Sequence, residues 1–541
     1  MARSPLFRSL LSMLSQAQFP SKPNQALINF KQSRRKFIVR GATLIGSTAL
    51  IQPTMSWALA GGISKQRPSD LDIAVVGAGL AGLSCAYELK KNGIAAQIFE
   101  ASSRSGGRCY SMGPGFPGPV DFAGQTIERG GELIDTGHKA MIGYAREFGL
   151  TLEDVGKQPG EIAYYFDGQH YHESAIVEEF RAFFKQMNND LRSIGAPTAS
   201  SHTELDRAFD MMSLAEYLDS RGAGPLLRKV LDVAYNIEFG LETSEQSALN
   251  LLLFMHADRR SRFQPFGVFS DERYHVVEGN QAIVTGLENA LTYPIEFEHR
   301  LIHLSRLSDG RIELTFDCDG ISKVTRHDAV VLTLPFSVMR DGQVEFDTNL
   351  QLPPWKRYAI ENLRYGTNSK MMIAFNGRPW QQHGSNGASY SNLPNHQTTW
   401  ETQPTFATET HGILTDYSGG LRGATLNPAD PQFAAERFLG DLEKIYPGTM
   451  SMARRTADNQ WVVHLEHWSS NPFSKGSYVC NHPGYFTTIA DNEAKTIDNI
   501  YFAGEHTSSF YEWQGFMEGA VLSGKRVAKE IVTASGKQRL L

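Results

Sequence analysis

The sequence of 541 residues has few cysteines and no short repeat. Its four cysteines are Cys85, Cys109, Cys318 and Cys480, and no two of them form a Cys-x-x-Cys pair. We therefore expect neither a bound metal nor a framework of disulfides, although a single bridge of the Cys85–Cys109 type stays open. The 24 prolines and 49 glycines are scattered rather than periodic, which excludes a fibrous or low-complexity protein. The length predicts two domains or one composite domain.

Acidic residues are missing from the first 60 positions, which contain eight lysines or arginines. Without this segment the formal net charge changes from −6 to −14. The rest of the chain is therefore acidic, and we do not expect it to bind nucleic acid or an anionic membrane.

The basic segment has the pattern of a leader. Ser33–Ile38 (SRRKFI) resembles a twin-arginine export motif, and Ala58–Ala60 fits the small-x-small rule for cleavage. The apolar run between them, Gly41–Ile51, contains Gly, Ser and Thr, so it is too weak for a stable membrane span. We expect a signal peptide over residues 1–60 and a periplasmic or secreted protein. An organellar transit peptide and a retained, membrane-anchoring leader are the alternatives.

A nucleotide-binding pattern follows the leader. A short apolar strand, Ile73–Val76, runs into the glycine turn Gly77–Gly82, which reads G-x-G-x-x-G. A helix is predicted from Leu83 to about Lys91, and a second strand, Ala95–Phe99, ends at the acid Glu100. This order of strand, glycine turn, helix, strand and acid is typical of a dinucleotide-binding unit.

Each residue type in this unit has a physical role. Gly77 permits the tight turn, Gly79 allows the backbone to approach a pyrophosphate, and Gly82 allows the helix to lie close to the strand. The N-terminus of the helix offers free N–H groups to the phosphates. Glu100 can accept hydrogen bonds from ribose hydroxyls.

Three further segments carry a resemblance to a known family. They are Arg104–Arg108 (RSGGR), Ile500–His506 (IYFAGEH) and Tyr511–Gly524 (YEWQGFMEGAVLSG). With the glycine turn they resemble the flavin amine oxidase superfamily, which includes monoamine, polyamine and L-amino-acid oxidases. The resemblance covers roughly residues 70–535 and implies that FAD is the cofactor.

The resemblance also implies which residues hold the cofactor. The Gly-Gly-Arg segment lies along the FAD diphosphate, the acid of the Gly-Glu pair binds a ribityl hydroxyl, and the last segment opens a helix that faces the flavin. The expected FAD-binding residues are Gly77, Gly79, Leu80, Ala81, Gly82, Glu100, Ala101, Gly107, Arg108, Gly130, Gly131, Glu132, Leu301, Gly504, Glu505, Phe516 and Met517. Because covalent members carry a cysteine where this chain has Ser477, we expect non-covalent FAD.

Candidate catalytic residues come from the same resemblance. Tyr478 and Phe516, with Trp513 nearby, match the aromatic residues that flank the substrate and align an amine beside the flavin. Lys370 matches the lysine that holds a water at flavin N5 and assists reoxidation by oxygen. A buried cation at this place is costly unless it is paired. Glu132, the fifth candidate, could attract an ammonium group or bond to backbone N–H groups as a supporting acid.

The predicted fold class is α/β, an α+β composite with a Rossmann-type FAD-binding domain, a discontinuous substrate domain and a helical insertion. Residues 175–260 are expected to be largely helical, because their apolar residues recur at helical spacing. The FAD-binding domain is predicted to comprise residues 70–140, 270–335 and 460–535. The substrate domain is predicted to comprise a helical part, 141–269, and a mixed α/β part, 336–459.

The expected reaction is hydride transfer from the amine-bearing carbon to flavin N5, followed by hydrolysis of the imine. We favour L-amino acids as substrates, with release of 2-oxo acid, ammonia and hydrogen peroxide. Many L-amino-acid oxidases have an arginine in the glycine-rich strand for the carboxylate, whereas the matching run here, Gly130–Leu133, has none. Arg129 and Arg364 are the candidate replacements. A primary-amine or polyamine oxidase, a quinone-linked dehydrogenase and a flavoprotein without turnover are the alternatives, and a homodimer stays open.

Overall fold

The computed structural model of the protein describes residues 71–157, 159–256, 272–340, 342–403 and 411–536. The predicted leader over residues 1–60, with its export motif, lies outside the described residues. In the described part of the chain, no helix is both long enough and apolar enough to cross a membrane.

A four-stranded parallel sheet is built from segments near both ends and from the middle of the described chain. Its strands, numbered along the chain, are β1 (Ile73–Val76), β2 (Ala96–Phe99), β12 (Ala329–Leu332) and β21 (Ile500–Phe502). Their spatial order is β2-β1-β12-β21, and every neighbouring pair is parallel. Their apolar, almost wholly buried residues are what a parallel sheet covered on both faces requires. The predicted α/β class is confirmed.

Helices from distant parts of the chain pack beside this sheet. Helix α1 (Leu80–Lys91) begins three residues earlier than predicted, because Gly79 is its extended N-cap. It lies against α15 (Met517–Ala534), and the Ser84 hydroxyl donates a hydrogen bond to the Val521 carbonyl at 3.2 Å. Two further helices complete this layer: α2 (Lys139–Glu147) and α8 (Gln281–Asn289).

A second four-stranded sheet is mostly antiparallel. Its strands are β9 (Arg300–Arg306), β10 (Ile312–Cys318), β11 (Ile321–His327) and β13 (Glu345–Phe346), in the order β11-β10-β9-β13. Only the pair β13 and β9 is parallel.

A seven-stranded sheet forms the other half of the molecule. Its order is β19-β15-β18-β17-β16-β6-β7, and its strands are β6 (Glu161–Phe166), β7 (Gln169–Tyr171), β15 (Ser369–Phe375), β16 (Ser385–Ser391), β17 (Thr398–Glu401), β18 (Gly412–Ser418) and β19 (Val463–His467). Helix α12 (Pro431–Ile445) covers one face, where Met371 and Ile373 pack against Phe438. Because side chains alternate along a strand, Lys370 and Met372 point to the opposite face.

Five helices occupy the stretch predicted to be helical, which confirms that prediction for the residues described there. They are α3 (Glu173–Ser193), α4 (Glu204–Met211), α5 (Leu214–Ser220), α6 (Pro225–Phe239) and α7 (Leu249–His256). Their buried faces belong to the largest hydrophobic cluster of the described chain. The domain boundaries themselves stay predictions.

The remaining elements are short. The strands are β3 (Ser111–Met112), β4 (Ile127–Glu128), β5 (Leu152–Asp154), β8 (Tyr274–Val276), β14 (Arg364–Tyr365) and β20 (Val479–Cys480). The helices are α9 (Phe336–Met339), α10 (Pro354–Asn362), α11 (Gly420–Thr425), α13 (Thr449–Met452) and α14 (Tyr485–Thr488). Strand β4 leads into the glycine-rich turn of the candidate site.

Candidate active site

One cavity of about 1080 Å³ contains nearly all the predicted cofactor-binding residues. It runs from the carboxyl ends of β1 and β2 to the face of the seven-stranded sheet that carries Lys370. Of the 17 residues predicted to bind FAD, Gly82 alone is not part of its lining. Its size and its position at the carboxyl ends of parallel strands are typical of a nucleotide cofactor site.

The three motif glycines have different surroundings. Gly77 has φ +107°, and a Cβ there would lie 2.4 Å from the Thr333 hydroxyl oxygen. A Cβ on Gly82 would lie 2.0 Å from the Gly77 carbonyl oxygen, so Gly82 serves the packing of helix on strand. A Cβ on Gly79 would meet no atom within 4 Å, although this residue lines the cavity. Gly79 therefore leaves room where a diphosphate would lie.

Glu100 supports the rim of the cavity. One carboxylate oxygen accepts a hydrogen bond from the backbone N–H of Ala78 at 2.7 Å. The other accepts from the N–H and the hydroxyl of Ser102, at 2.9 and 2.7 Å. These bonds hold the acid at the end of β2, in the place of a ribose-binding residue.

Arg108 and Glu505 meet at the wall that the resemblance assigns to the diphosphate and ribityl chain. The Arg108 guanidinium donates to Glu505 Oε1 at 3.0 Å and to the Ser477 carbonyl at 2.8 Å. Glu505 Oε2 is buried and has no hydrogen-bond partner among the described residues. A buried carboxylate oxygen without a protein donor can accept one from a bound molecule, and a ribityl hydroxyl of FAD would supply it. The residues present therefore fit FAD.

Lys370 is fully engaged by protein acceptors. Its ammonium donates to Glu132 Oε2 at 2.6 Å, to the Glu128 carbonyl at 2.6 Å and to the Gly130 carbonyl at 3.2 Å. An ammonium has three N–H donors, so each has a partner. The Lys370 and Glu132 side chains are 4% and 6% exposed, which makes this a buried ion pair.

Glu132 has a second side-chain partner on another strand. Its Oε1 accepts a hydrogen bond from the indole N–H of Trp400 at 3.0 Å. The carboxylate thus bridges Lys370 on β15 and Trp400 on β17, which are separated by β18. The hypotheses that Glu132 attracts a substrate ammonium or bonds to backbone N–H groups stay predictions, and its observed partners are these two side chains.

The strand register places a mixed row of side chains on the cavity face. Lys370 lies opposite Glu466 on β19 and opposite Tyr417 on β18. All three line the cavity. Burial opposes ionisation of Glu466, but the hydrogen bond from His464 and the charge of Arg129 outweigh it, so the pKa of Glu466 is lowered.

A second carboxyl group lies beneath the same turn. Glu128 is buried, and burial raises its pKa to about 8 despite hydrogen bonds from the Asn280 N–H and the Ser111 hydroxyl. Its side chain is not part of the cavity lining.

Four aromatic residues line the cavity in the region where the resemblance places the substrate. Tyr478 and Phe516 are two of those predicted, and Trp400 and Tyr417 join them. The Tyr417 and Tyr478 hydroxyl groups are 2.8 Å apart, and the Trp400 and Tyr417 rings form an edge contact at 5.4 Å. Trp513 is not part of the cavity lining; its ring packs on His138 at 4.4 Å and on Phe516 at 5.7 Å.

The two arginines considered for a substrate carboxylate lie in different places. Arg364 pairs with Glu245 at 3.2 Å and is not in the cavity lining. Arg129 lines the cavity, where its Nε donates to Glu466 at 2.6 Å and its guanidinium lies 4.0 Å from the centroid of the Tyr110 ring. Of the two, Arg129 alone is in reach of a ligand.

The cysteines, all within the described residues, are free thiols, so the Cys85–Cys109 bridge does not form. Burial raises the pKa of the Cys85 thiol to about 12 and that of Cys109 well above its usual value, which leaves both unreactive. Ser477 holds Asn368 through a 2.7 Å hydrogen bond. Non-covalent binding of FAD stays a prediction.

Trp400 and Tyr417 were missed in the sequence. Both lie in strands whose residues are all buried and whose sequences carry no recognisable motif. Neither residue is near Lys370 along the chain. Only the pairing of β15, β18 and β17 brings them beside the lysine.

Comparisons with known proteins agree on one family. A family model described as flavin containing amine oxidoreductase matches residues 80–532. Lysine-specific histone demethylase 1 homolog 2 of Oryza sativa subsp. japonica is 26% identical over 475 residues, which cover 86% of this chain and 57% of that protein. L-amino-acid oxidase of Naja atra is 22% identical over 502 residues, covering 87% of this chain and 90% of the relative.

Among solved structures, cyclohexylamine oxidase from Brevibacterium oxydans IH-35A has a similar fold. Its TM-score is 0.70 at 20% sequence identity, and the match covers 86% of this chain and 99% of that one. At this identity the likeness shows the fold alone.

Proposed function

The chain belongs to the family of flavin containing amine oxidoreductases, and on that premise we propose that it oxidises L-amino acids to 2-oxo acids. FAD, held by residues such as Glu100, Arg108 and Glu505, would supply a two-electron acceptor for hydride from the amine-bearing carbon; the imine product would hydrolyse to a carbonyl and ammonia, and oxygen would be reduced to hydrogen peroxide. Residues of the chain supply the binding, the orientation and the exclusion of water.

One observation carries the choice of amino acids. Arg129 lines the cavity beside Glu466, and its bond to that acid uses Nε, while its terminal nitrogens have no hydrogen bond to a described residue. Two parallel N–H donors of one guanidinium match a carboxylate. Lys370 cannot take this role without leaving a present partner, because its three donors are occupied.

The aromatic residues orient the rest of the substrate. Phe516, the N-cap of the helix that begins at Met517, lines the cavity with Tyr478, Trp400 and Tyr417, and we assign these four rings to the substrate slot. Such rings exclude water and weaken the hydration of an ammonium, which favours the neutral amine from which hydride can leave.

A primary amine is the second candidate substrate. Four charged side chains line this part of the cavity: Glu132 pairs with Lys370, and Glu466 pairs with Arg129. Their charges cancel, so they give no net positive charge that would favour a substrate carboxylate. The fold is also that of cyclohexylamine oxidase.

The deciding experiment is anaerobic bleaching of the flavin with matched pairs, such as L-phenylalanine and phenethylamine, with D-phenylalanine as control. We expect bleaching by the L-amino acid and recovery in air. In R129Q, the half-saturating concentration of the L-amino acid should rise about ten- to a hundredfold, because about 1.5–3 kcal/mol of charged hydrogen bonding is lost. That of the amine should stay within about threefold. Bleaching by amines alone contradicts the proposal, and absence of recovery in air indicates a quinone acceptor.

We further propose export by the leader, a periplasmic or secreted location, and non-covalent FAD. Cell fractionation with and without residues 1–60 tests the location. Acid precipitation tests the cofactor, since non-covalent FAD goes into the supernatant and covalent flavin stays with the protein. A homodimer is tested by light scattering of the holoenzyme.

A further inference from the structure

Glu132 uses both of its carboxylate oxygens to hold other side chains. Oε2 accepts from Lys370 at 2.6 Å, and Oε1 accepts from the Trp400 indole at 3.0 Å. Trp400 is 6% exposed and lines the cavity. Its indole N–H needs an acceptor when it is buried.

The bridge connects three separate parts of the fold. Glu132 follows the glycine-rich turn after β4, Lys370 starts β15, and Trp400 lies on β17. The Lys370 ammonium also lies 5.8 Å from the centroid of the Trp400 ring. The Glu132 carboxylate therefore fixes the indole N–H of Trp400, whereas Lys370 joins the turn to the sheet through this carboxylate and through the carbonyls of Glu128 and Gly130.

The indole N–H of Trp400 has one hydrogen-bond acceptor among the described residues, which is Glu132. Its edge contact with Tyr417 at 5.4 Å links it to the hydroxyl pair of Tyr417 and Tyr478. A change in the indole plane would therefore shift the whole aromatic wall at the substrate end.

We propose that Glu132 is a positioning residue for Trp400, and that the Trp400 indole, held in this way, is a specificity-determining wall of the substrate slot. The inference deepens the proposed function and rests on it for the identity of the slot. Glu132 acts on ligand affinity through Trp400, with Lys370 as the neutralising partner.

The test uses ligands that bind without turnover. 2-Phenylpropan-2-amine and α-methyl-L-phenylalanine have no hydrogen on the amine-bearing carbon, so they cannot give up hydride. Their dissociation constants are measured by calorimetry on FAD-loaded protein. The variants are E132M, which removes both acceptors, W400F, which keeps a ring, and the double variant.

A positioning role predicts non-additive effects. We expect E132M to raise the dissociation constant about tenfold, W400F about fivefold, and the double variant about tenfold rather than fiftyfold. E132Q keeps an acceptor for the indole and should stay within about threefold of wild type. The matched control is E466Q, the same change at a cavity-lining acid bonded to Arg129 and His464, which should be additive with W400F.

Three results would overturn the inference: a double variant equal to the product of the single effects, equal affinities for E132Q and E132M, or no binding of either probe to wild type. Should E132M lose its FAD, the cycle is run in the K370M chain with E132Q/K370M as the reference, so that neither an unpaired ammonium nor an unpaired carboxylate remains. Turnover of the parent compounds is measured in parallel. If the effects of E132M and W400F are non-additive but the parent compounds are not turned over, the proposed function alone is contradicted. If the parent compounds are turned over but the two effects multiply, this inference alone is contradicted.

Discussion

Removal of the Lys370 charge should reveal how much the buried ion pair matters to stability. In K370M, the Glu132 carboxylate loses its counter-charge at a side-chain exposure of 6%, and the carbonyls of Glu128 and Gly130 lose a donor. Breaking a buried pair by removing one partner costs about 3–5 kcal/mol, because an uncompensated charge is left behind. We expect K370M to lose that much free energy of unfolding.

The double variant E132Q/K370M separates the contribution of the charge to stability from the contribution of the hydrogen bonds. Its glutamine still offers an acceptor to Trp400, and no buried charge is left unpaired. The remaining loss is that of the donor to two carbonyls, about 1–2 kcal/mol. The double variant should therefore be more stable than K370M, although it carries one more substitution.

The assay is urea unfolding at a fixed excess of FAD, because bound cofactor adds to apparent stability. An unfolding entropy of about 2 cal/mol/K per residue gives about 1 kcal/mol/K for several hundred residues, so K370M should also melt about 3–5 °C lower. A loss below about 1 kcal/mol in K370M, or additive losses in the double variant, would refute the reasoning that the pair is charged and closed to water.

Three further predictions concern the cofactor site and the pH dependence. Gly79→Ala should fold normally but bind FAD weakly, because its methyl group would enter the cavity. Gly77→Ala should lose about 1–3 kcal/mol of stability, because its φ is +107° and the methyl group would clash with Thr333. Urea unfolding and FAD titration distinguish the two variants, and equal behaviour would contradict the different roles given to the two glycines. Glu505→Gln should weaken FAD binding about tenfold in fluorescence titration, because an amide is a weaker hydrogen-bond acceptor than the unpaired carboxylate oxygen of Glu505. Unchanged affinity would argue against a contact between Glu505 and a ribityl hydroxyl. Burial raises the pKa of Glu128 from 4.5 to about 8, so the protonated side chain contributes stability at low pH that is lost as the pH rises from about 4.5 to about 8. In this window the free energy of unfolding of Glu128→Gln should rise relative to that of wild type by about 1.4 kcal/mol per pH unit. Parallel plots of unfolding free energy against pH for the two proteins would contradict this prediction.

The cofactor half could be read from the sequence because its signals are local. Gly77, Gly79 and Gly82 act within one strand-turn-helix unit, and their spacing alone predicts which part of the backbone would approach a phosphate. Gly504 and Glu505 follow a strand in the same way. Each of these residues acts through its own turn, so chain order is enough to predict it.

The substrate half was decided by tertiary structure. Lys370 was a recognisable candidate, but its partner Glu132 and the bridged Trp400 come from a turn and a strand that no spacing rule connects. Trp513 was expected near the substrate, and its ring packs on His138 and Phe516 outside the cavity lining. The register of β15 with β18 and β19 then places Tyr417 and Glu466 beside the lysine. The local sequence predicts the conformation of each segment, whereas strand pairing and burial between distant segments decide which charges and rings meet, and with them the chemistry of the slot.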